Sequence, residues 1–251
     1  MPEAALATII LAAGQGTRMK SDRAKVLHAL SGEMLVSYPL RLAVDVGAKP
    51  IVLVVGHQKD IVREKVEALF PAQIMFAEQT EQRGTGHAVM EGMKALAQHR
   101  GRVLLLYGDV PLLRASTIAR LVKEADDKLL DLALISTHLA EPKGYGRVIR
   151  NPSTGKIERI VEEKDATPEQ RRIQEINAGI YLVEAPFLRR ALSELRADNA
   201  QKEYYLTDII EIAIREGHKV GAVVAEDSSE VLGANTRADL AALDRVVRAR
   251  T

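Results

Sequence analysis

Short, continuously apolar runs alternate with amphipathic stretches through the first half of the 251-residue chain. Leu6 to Ala12 precedes a helical pattern, Ile51 to Val55 precedes Gln58 to Leu69, and Val103 to Tyr107 precedes Ser116 to Ala125. Runs that are apolar at every position suit strands buried on both faces. Their alternation with helices predicts an α/β fold, a mostly parallel sheet covered by helices on both faces. Ligands in such sheets bind beyond the carboxyl ends of the strands, so the residues directly after each run come first for inspection. The second half is less regular. Gly144 to Arg150, Lys156 to Val161 and Ala178 to Val183 read as strands, and the turn-forming residues 151–155 (Asn-Pro-Ser-Thr-Gly) predict a hairpin, a β-rich insertion over the sheet. Thr236 to Arg250 places Leu240, Leu243 and Val247 at helical spacing. The expected organisation is a body over residues 1–235 and a C-terminal helix over 236–251, which either packs on that body or begins a linker. No internal repeat interrupts either part.

Composition narrows the function classes. Lys and Arg number 35 against 34 Asp and Glu, a net charge of +1. Phosphate-backbone binders carry a strong basic excess, so nucleic acid is not an expected partner. With 47% hydrophobic and 27% charged residues, the chain can bury a core. Absence of cysteine excludes disulfides, thiolate metal sites and cysteine nucleophiles, and fits a reducing compartment, so a cytoplasmic location is expected. No apolar run approaches the roughly 18 residues that span a bilayer, and no membrane partner is expected. The opening segment carries Glu3 and no basic n-region, which does not read as a signal peptide.

After the first strand, LAAGQGTRM places Gly14 and Gly16 ahead of Thr17, Arg18 and, past a polar gap, Lys25. Glycines there let main-chain amides approach phosphate oxygens, and the two cations add charge. A dinucleotide fingerprint wants a third glycine where Met19 stands, and an acid after the second strand where Val55, Gly56 and His57 stand. The P-loop pattern fails too, for want of Gly-Lys-Ser/Thr in this segment. Further on, YGDVPLL ends the most apolar run with Asp109, at the sheet edge where a carboxylate can hold a hard cation. Taken alone, each feature has an ordinary reading: a structural turn at the glycines, a turn or capping aspartate at 109, a solvated loop at QTEQRGTGHA. His87 in that loop reads as a helix-start or packing histidine, since the other histidines share no ligand spacing with it.

LAAGQGTRM followed by Lys25, Val26 and Leu27 resembles the signature of sugar-1-phosphate nucleotidyltransferases. With QTEQRGTGHA, YGDVPLL, PKGYGR, IVEEKDAT, EINAGIYL and VLGANTR, the chain from Leu6 to Arg237 is similar to the bacterial UDP-N-acetylglucosamine pyrophosphorylases, in one order. The resemblance implies a Rossmann-like nucleotidyltransferase fold with a sugar-binding β-rich insertion. It implies transfer of UMP from UTP to N-acetylglucosamine 1-phosphate with Mg²⁺, giving UDP-N-acetylglucosamine, a precursor in cell wall biogenesis, and pyrophosphate. By the same match Leu11, Ala12, Ala13, Gly14, Gln79, Gly84 and Thr85 bind nucleotide, with Gln82 a second candidate for the uracil edge. Arg18 and Lys25 are the catalytic cations. Tyr107, Gly146, Glu162, Asn177 and Asn235 serve the sugar phosphate, and Asp109 and Asn235 hold Mg²⁺. A glutamine amide suits uracil because it offers both a donor and an acceptor, and two oxygen ligands suit Mg²⁺, which takes the rest from water and phosphates.

Ordinary alternatives stand beside these roles. Glu162 in a charged run reads as solvated, Asn177 as a turn residue, Asn235 as a helix N-cap, and Tyr204 and Tyr205 as packing residues at a helix start. Two departures from the family pattern occur: Gln15 where a basic residue is common, and Ala24 where proline is common. The hexapeptide β-helix of the bifunctional relatives does not follow Thr251, so acetyl transfer, coenzyme A binding and trimerisation are not expected of this chain; its oligomeric state is left open. The rival readings are a sister enzyme with another base or sugar, and a non-catalytic sugar-nucleotide-binding module.

Overall fold

The computed structural model describes residues 5–250; Glu3 within residues 1–4, on which the leader reading draws, and Thr251 lie outside the described residues. In chain order the strands are β1 (Leu6–Ala12), β2 (Ala29–Leu30), β3 (Glu33–Met34), β4 (Ile51–Val55), β5 (Ile74–Glu78) and β6 (Arg102–Tyr107), then β7 (Leu132–His138), β8 (Arg147–Arg150), β9 (Ile157–Val161), β10 (Glu175–Glu184) and β11 (Val220–Val224). The helices are α1 (Ser37–Asp45), α2 (Lys59–Leu69), α3 (Thr85–Ala95), α4 (Ala115–Lys128), α5 (Pro168–Arg171), α6 (Ala185–Glu194), α7 (Asp208–Arg215) and α8 (Arg237–Arg250). Seven strands lie in the order β11-β7-β10-β6-β1-β4-β5. Only β10 in this row runs antiparallel to its neighbours.

Continuous apolarity in β1 has the expected cause. Ala7, Ile9 and Leu11 face a core closed by α3, α6 and α7, while Ile10 and Ala12 face one closed by α1, α2 and α4. Val103 and Leu105 of β6 alternate with Leu104 and Leu106 in the same way. A strand buried on both sides has no polar face to alternate with. Burial on this scale is costly to disturb: truncating Ile9 or Ile10 to alanine is worth about 2–5 kcal/mol.

The hairpin β8–β9 forms as expected and joins the sheet where Arg147 pairs with Ile176 of β10. Its first strand is shorter than the sequence suggests. Residues 144–146 form a turn instead, with Gly144 at φ +89° and Tyr145 N–H donating to Pro142 O at 3.2 Å. The one-turn helix α5 is started by Thr167, whose hydroxyl accepts from the Gln170 amide. A third apolar cluster, with Leu30, Leu35, Leu112, Ala234 and Leu243 buried, seats α8 against the small β2–β3 sheet. That contact brings the end of the chain back beside its beginning.

Candidate active site

The carboxyl ends of β1, β5 and β6 open on one side of the sheet, and the loops leaving them line a cleft of about 310 Å³. Leu11, Ala12, Ala13 and Gly14 line it, joined by Lys25, Gln79, Gly84 and Thr85, with Tyr107, Asp109 and Asn235 completing it. The glycine turn is tight because Gly16 sits at φ +66° and a Cβ there would lie 2.6 Å from Lys25 Cβ. Any side chain at 16 would therefore push Lys25 away. Met19, fully buried, pins the far end of the turn.

At one end of the cleft three distant segments meet. The Lys25 ammonium ion-pairs with Asp109 Oδ2, 84 residues away, and donates to Asn235 Oδ1 at 3.2 Å, 210 residues away. Arg18 Nη2 donates to that same Asn235 oxygen at 2.9 Å. The Ala234 N–H donates to Asp109 O at 2.9 Å, which ties the segment carrying Asn235 to the end of β6. Thr236 caps α8: its hydroxyl accepts from the Asp239 amide at 3.1 Å, while the Asp239 carboxylate accepts from the amides of Thr236 and Asn235 at 2.8 and 3.0 Å. The capping reading of Asn235 is corrected here, because its neighbour does that work and its own amide faces the two cations.

These residues fit Mg²⁺. The carboxylate of Asp109 and the amide oxygen of Asn235 already converge on one cation, the ammonium, and both are the hard oxygen donors this metal prefers. Two protein oxygens leave the remaining positions to water and phosphate.

Gln79 lies buried beyond the end of β5, its amide nitrogen donating to Gly84 O at 3.0 Å and lying 3.1 Å from His87 Nδ1. Gln82, exposed, lines the same cleft, so both glutamines border it. Gly84 is at φ +97°, and a Cβ would meet Tyr204 O at 2.7 Å. Its loop is stitched to residues 203–204: Gly86 N–H donates to Tyr204 O and Tyr204 N–H to Arg83 O, each at 2.8 Å. The Arg83 guanidinium also covers the Tyr204 ring at 5.0 Å. His87 packs beside that ring and pairs with Glu91, as a packing histidine would.

Tyr107 divides this cleft from the second group of expected residues. Its ring lies against Gly179, at φ +78°, where a Cβ would come within 2.6 Å. Burial raises the Tyr107 phenol above its ordinary range, with the charges of Glu162 and Asp109 adding to the effect. Asn177 donates to the Tyr181 hydroxyl at 2.6 Å and accepts from Gly179 N–H at 3.0 Å, at the register shift of β10. Its main-chain N–H donates to Gly146 O at 2.9 Å. The Glu162 carboxylate accepts from Thr207 at 3.1 Å, and burial pushes it upward. Gly146, Glu162 and Asn177 thus gather on the β8–β9–β10 side and do not line the first cleft, which Tyr107 does. Thr85 holds the two regions together, accepting from Leu206 N–H at 3.2 Å.

Sequence reasoning missed Glu203, which lines the cleft. It also left open the role of Tyr204, whose main chain shapes the Gly84 loop.

The nucleotidyl transferase family model matches residues 7–233. The bifunctional protein GlmU of Syntrophotalea carbinolica is 47% identical over 245 residues, 98% of this chain and 52% of that protein. GlmU of Geobacter metallireducens is 49% identical over 98% of this chain and 51% of its own length. The chain therefore spans about half the length of these curated relatives. A Bacillus anthracis protein provisionally named a glucose-1-phosphate thymidylyltransferase, solved with sucrose, superposes with a TM-score of 0.77, covering 97% of this chain and 96% of that one at 20% identity. At that identity the likeness speaks for the fold alone.

Proposed function

The chain belongs to the nucleotidyl transferase family, and from that premise we propose that it transfers UMP from UTP to N-acetylglucosamine 1-phosphate, releasing pyrophosphate and forming UDP-N-acetylglucosamine. The observation that carries the reading is the meeting of Arg18, Lys25, Asp109 and Asn235 at one end of a cleft whose other end is bordered by Gln79, Gln82 and Gly84. A nucleoside triphosphate has the same polarity, a base at one end and charge at the other.

In this reading the amides of residues 14–17 and the Arg18 guanidinium hold the triphosphate, and Gln79 with the Gly84 loop shapes the base site. Asn177, Glu162 and the Gly146 backbone orient the sugar beyond Tyr107. The sugar phosphate oxygen attacks the α-phosphorus in line, the bond to the pyrophosphate oxygen breaks opposite, and no covalent enzyme intermediate is needed. Lys25 moves onto the phosphates, where its charge offsets the anions that attack brings together. Asp109 and Asn235 are the residues that would hold Mg²⁺, which when bound supplies charge neutralisation between phosphate oxygens. Residues 1–235 carry this chemistry, with the final helix braced behind Asn235. No helix among the described residues is long and apolar enough to cross a membrane. With the lack of cysteine, this supports placing the reaction in the cytoplasm, on small-molecule substrates.

Pyrophosphate release is the test, measured with UTP, dTTP, ATP and GTP against glucose, glucosamine and N-acetylglucosamine 1-phosphates, with and without Mg²⁺. UTP with the N-acetylated sugar is expected to be fastest and to require the metal. Faster turnover with another base or sugar moves the chain to a sister activity. Tight binding of UDP-N-acetylglucosamine with no turnover makes it a binding module.

A further inference from the structure

Gln58 is a non-glycine residue held at φ +53°, the left-handed region that side chains bearing a Cβ avoid. Both ends of its carboxamide are engaged with main chain from another loop. Oε1 accepts from the Ala24 N–H at 2.7 Å, and Nε2 donates to the Asp22 carbonyl at 2.6 Å. A side chain thus pairs with residues 22–24 much as a neighbouring strand would. The clamped segment leads directly into Lys25, the first residue of the short turn Lys25–Leu27.

The base of the clamp is rigid as well. A Cβ on Gly56, two residues earlier, would lie 2.8 Å from Ala13 O and 2.9 Å from Gln79 O, so the end of β4 is pressed between the phosphate turn and the base-side strand. Ala24 is buried, with φ −50° and ψ 134°, close to the φ a proline ring imposes. Proline, common at this position in the sequence pattern described above, would have no N–H to give. Alanine has one, and Gln58 takes it.

We infer that Gln58 is a positioning residue for Lys25. Its two hydrogen bonds replace the stiffness of a proline ring and fix the path along which the ammonium reaches Asp109, Asn235 and, resting on the role proposed above for Lys25, the triphosphate. Gln58 touches neither substrate nor reacting atoms and acts only through the loop.

Gln58→Gly, Ala24→Pro and the double variant test this. Glycine accepts the left-handed backbone freely, which offsets part of the loss of two hydrogen bonds, so Gln58→Gly is expected to fold, yet lose about tenfold to a hundredfold in kcat, the scale of a catalytic group misplaced by about an ångström. Ala24→Pro in the Gln58→Gly background is expected to return kcat to within about threefold of wild type. A second readout does not depend on turnover: the ¹⁵N ammonium signal of Lys25, assigned by its loss in Lys25→Arg. It should be slow-exchanging in the free wild type through its bond to Asp109, broadened in Gln58→Gly and restored in the double variant. A wild-type ammonium signal in Gln58→Gly, or an unrestored signal in the double variant, overturns the inference even if the wild type proves inactive with UTP. Broadening and restoration without UTP turnover would support the clamp and refute only the proposed reaction.

Discussion

Converting Lys25 to methionine and Asp109 to asparagine, singly and together, tests whether the two side chains meet in the free protein. Their side chains are 16% and 13% exposed, so the pair is neither a surface contact nor a dry one. At a contact distance of about 3 Å and an effective dielectric constant of about 20, the attraction is roughly 5–6 kcal/mol before desolvation is counted. Desolvation offsets most of that. The expected coupling is about 1–3 kcal/mol, above the roughly 0.2–1 kcal/mol of exposed pairs. Lys25→Met strands a carboxylate whose only ion pair among the described residues is with that lysine, and Asp109→Asn leaves two cations, Lys25 and Arg18, sharing the Asn235 oxygen. Each single change should therefore cost about 2 kcal/mol, and the double change distinctly less than the sum. Urea unfolding of the four proteins, without nucleotide or divalent ion, measures this provided the m-values agree. Additivity to within about 0.5 kcal/mol would show that the two groups do not interact, and the convergence on which the proposed chemistry depends would be lost.

Other expectations follow from the same geometry. Lys25→Met should bind Mn²⁺ alone at least about tenfold more tightly than wild type, a change of about 1.4 kcal/mol, because the ammonium no longer competes for the Asp109 and Asn235 oxygens; equal affinities by electron paramagnetic resonance would contradict this. Lys25→Ala should lose about 10²-fold to 10³-fold in kcat in the pyrophosphate assay while its circular dichroism spectrum is unchanged, and wild-type turnover would remove its assigned role. Gly84→Ala, strained at φ +97° and pushed against Tyr204 O, should weaken UTP affinity while leaving sugar phosphate affinity within about twofold, which calorimetry can separate. Asp208 is pushed up to about 6 by burial first, then by the charges of Glu211, Glu162 and Asp165. A carboxyl raised in the folded state destabilises it once charged: the penalty is absent below about pH 4, grows towards pH 6 and stays constant above. Asp208→Asn should accordingly stabilise the protein by about 1–2 kcal/mol at pH 8, a figure reduced for its partial exposure, and by nothing at pH 4. The same gain at both pH values in urea unfolding would refute that cause.

Legibility of the fold followed burial only in part. β1, β4 and β6 were readable because two cores cover them, yet β7, covered by the same two cores, went unread, as did β5 and β11. Those two close the ends of the row, and their residues are mostly half-buried, as in the exposed Met75 of β5. Edge strands need not be apolar at every position, so a search for continuous runs passes over them. β10 was read only in part, because its antiparallel course with a register shift at Asn177 matches no local period.

Within the site the division is similar. Sequence alone determined which residue types follow each buried strand: the glycine turn with Arg18 and Lys25, Asp109 after the most apolar run, the Gln79–Thr85 loop. Those follow from the local rule that a parallel sheet presents ligands at its carboxyl edge. Tertiary structure alone decided that Lys25, Asp109 and Asn235 share one point, that Thr236 frees Asn235 by capping α8 in its place, and that Gln58 steadies the approach to Lys25. The physical reason is range. Backbone propensity and hydrophobic period act over a few residues, while a hydrogen bond across 210 residues exists only after strand order and helix packing have brought its ends together.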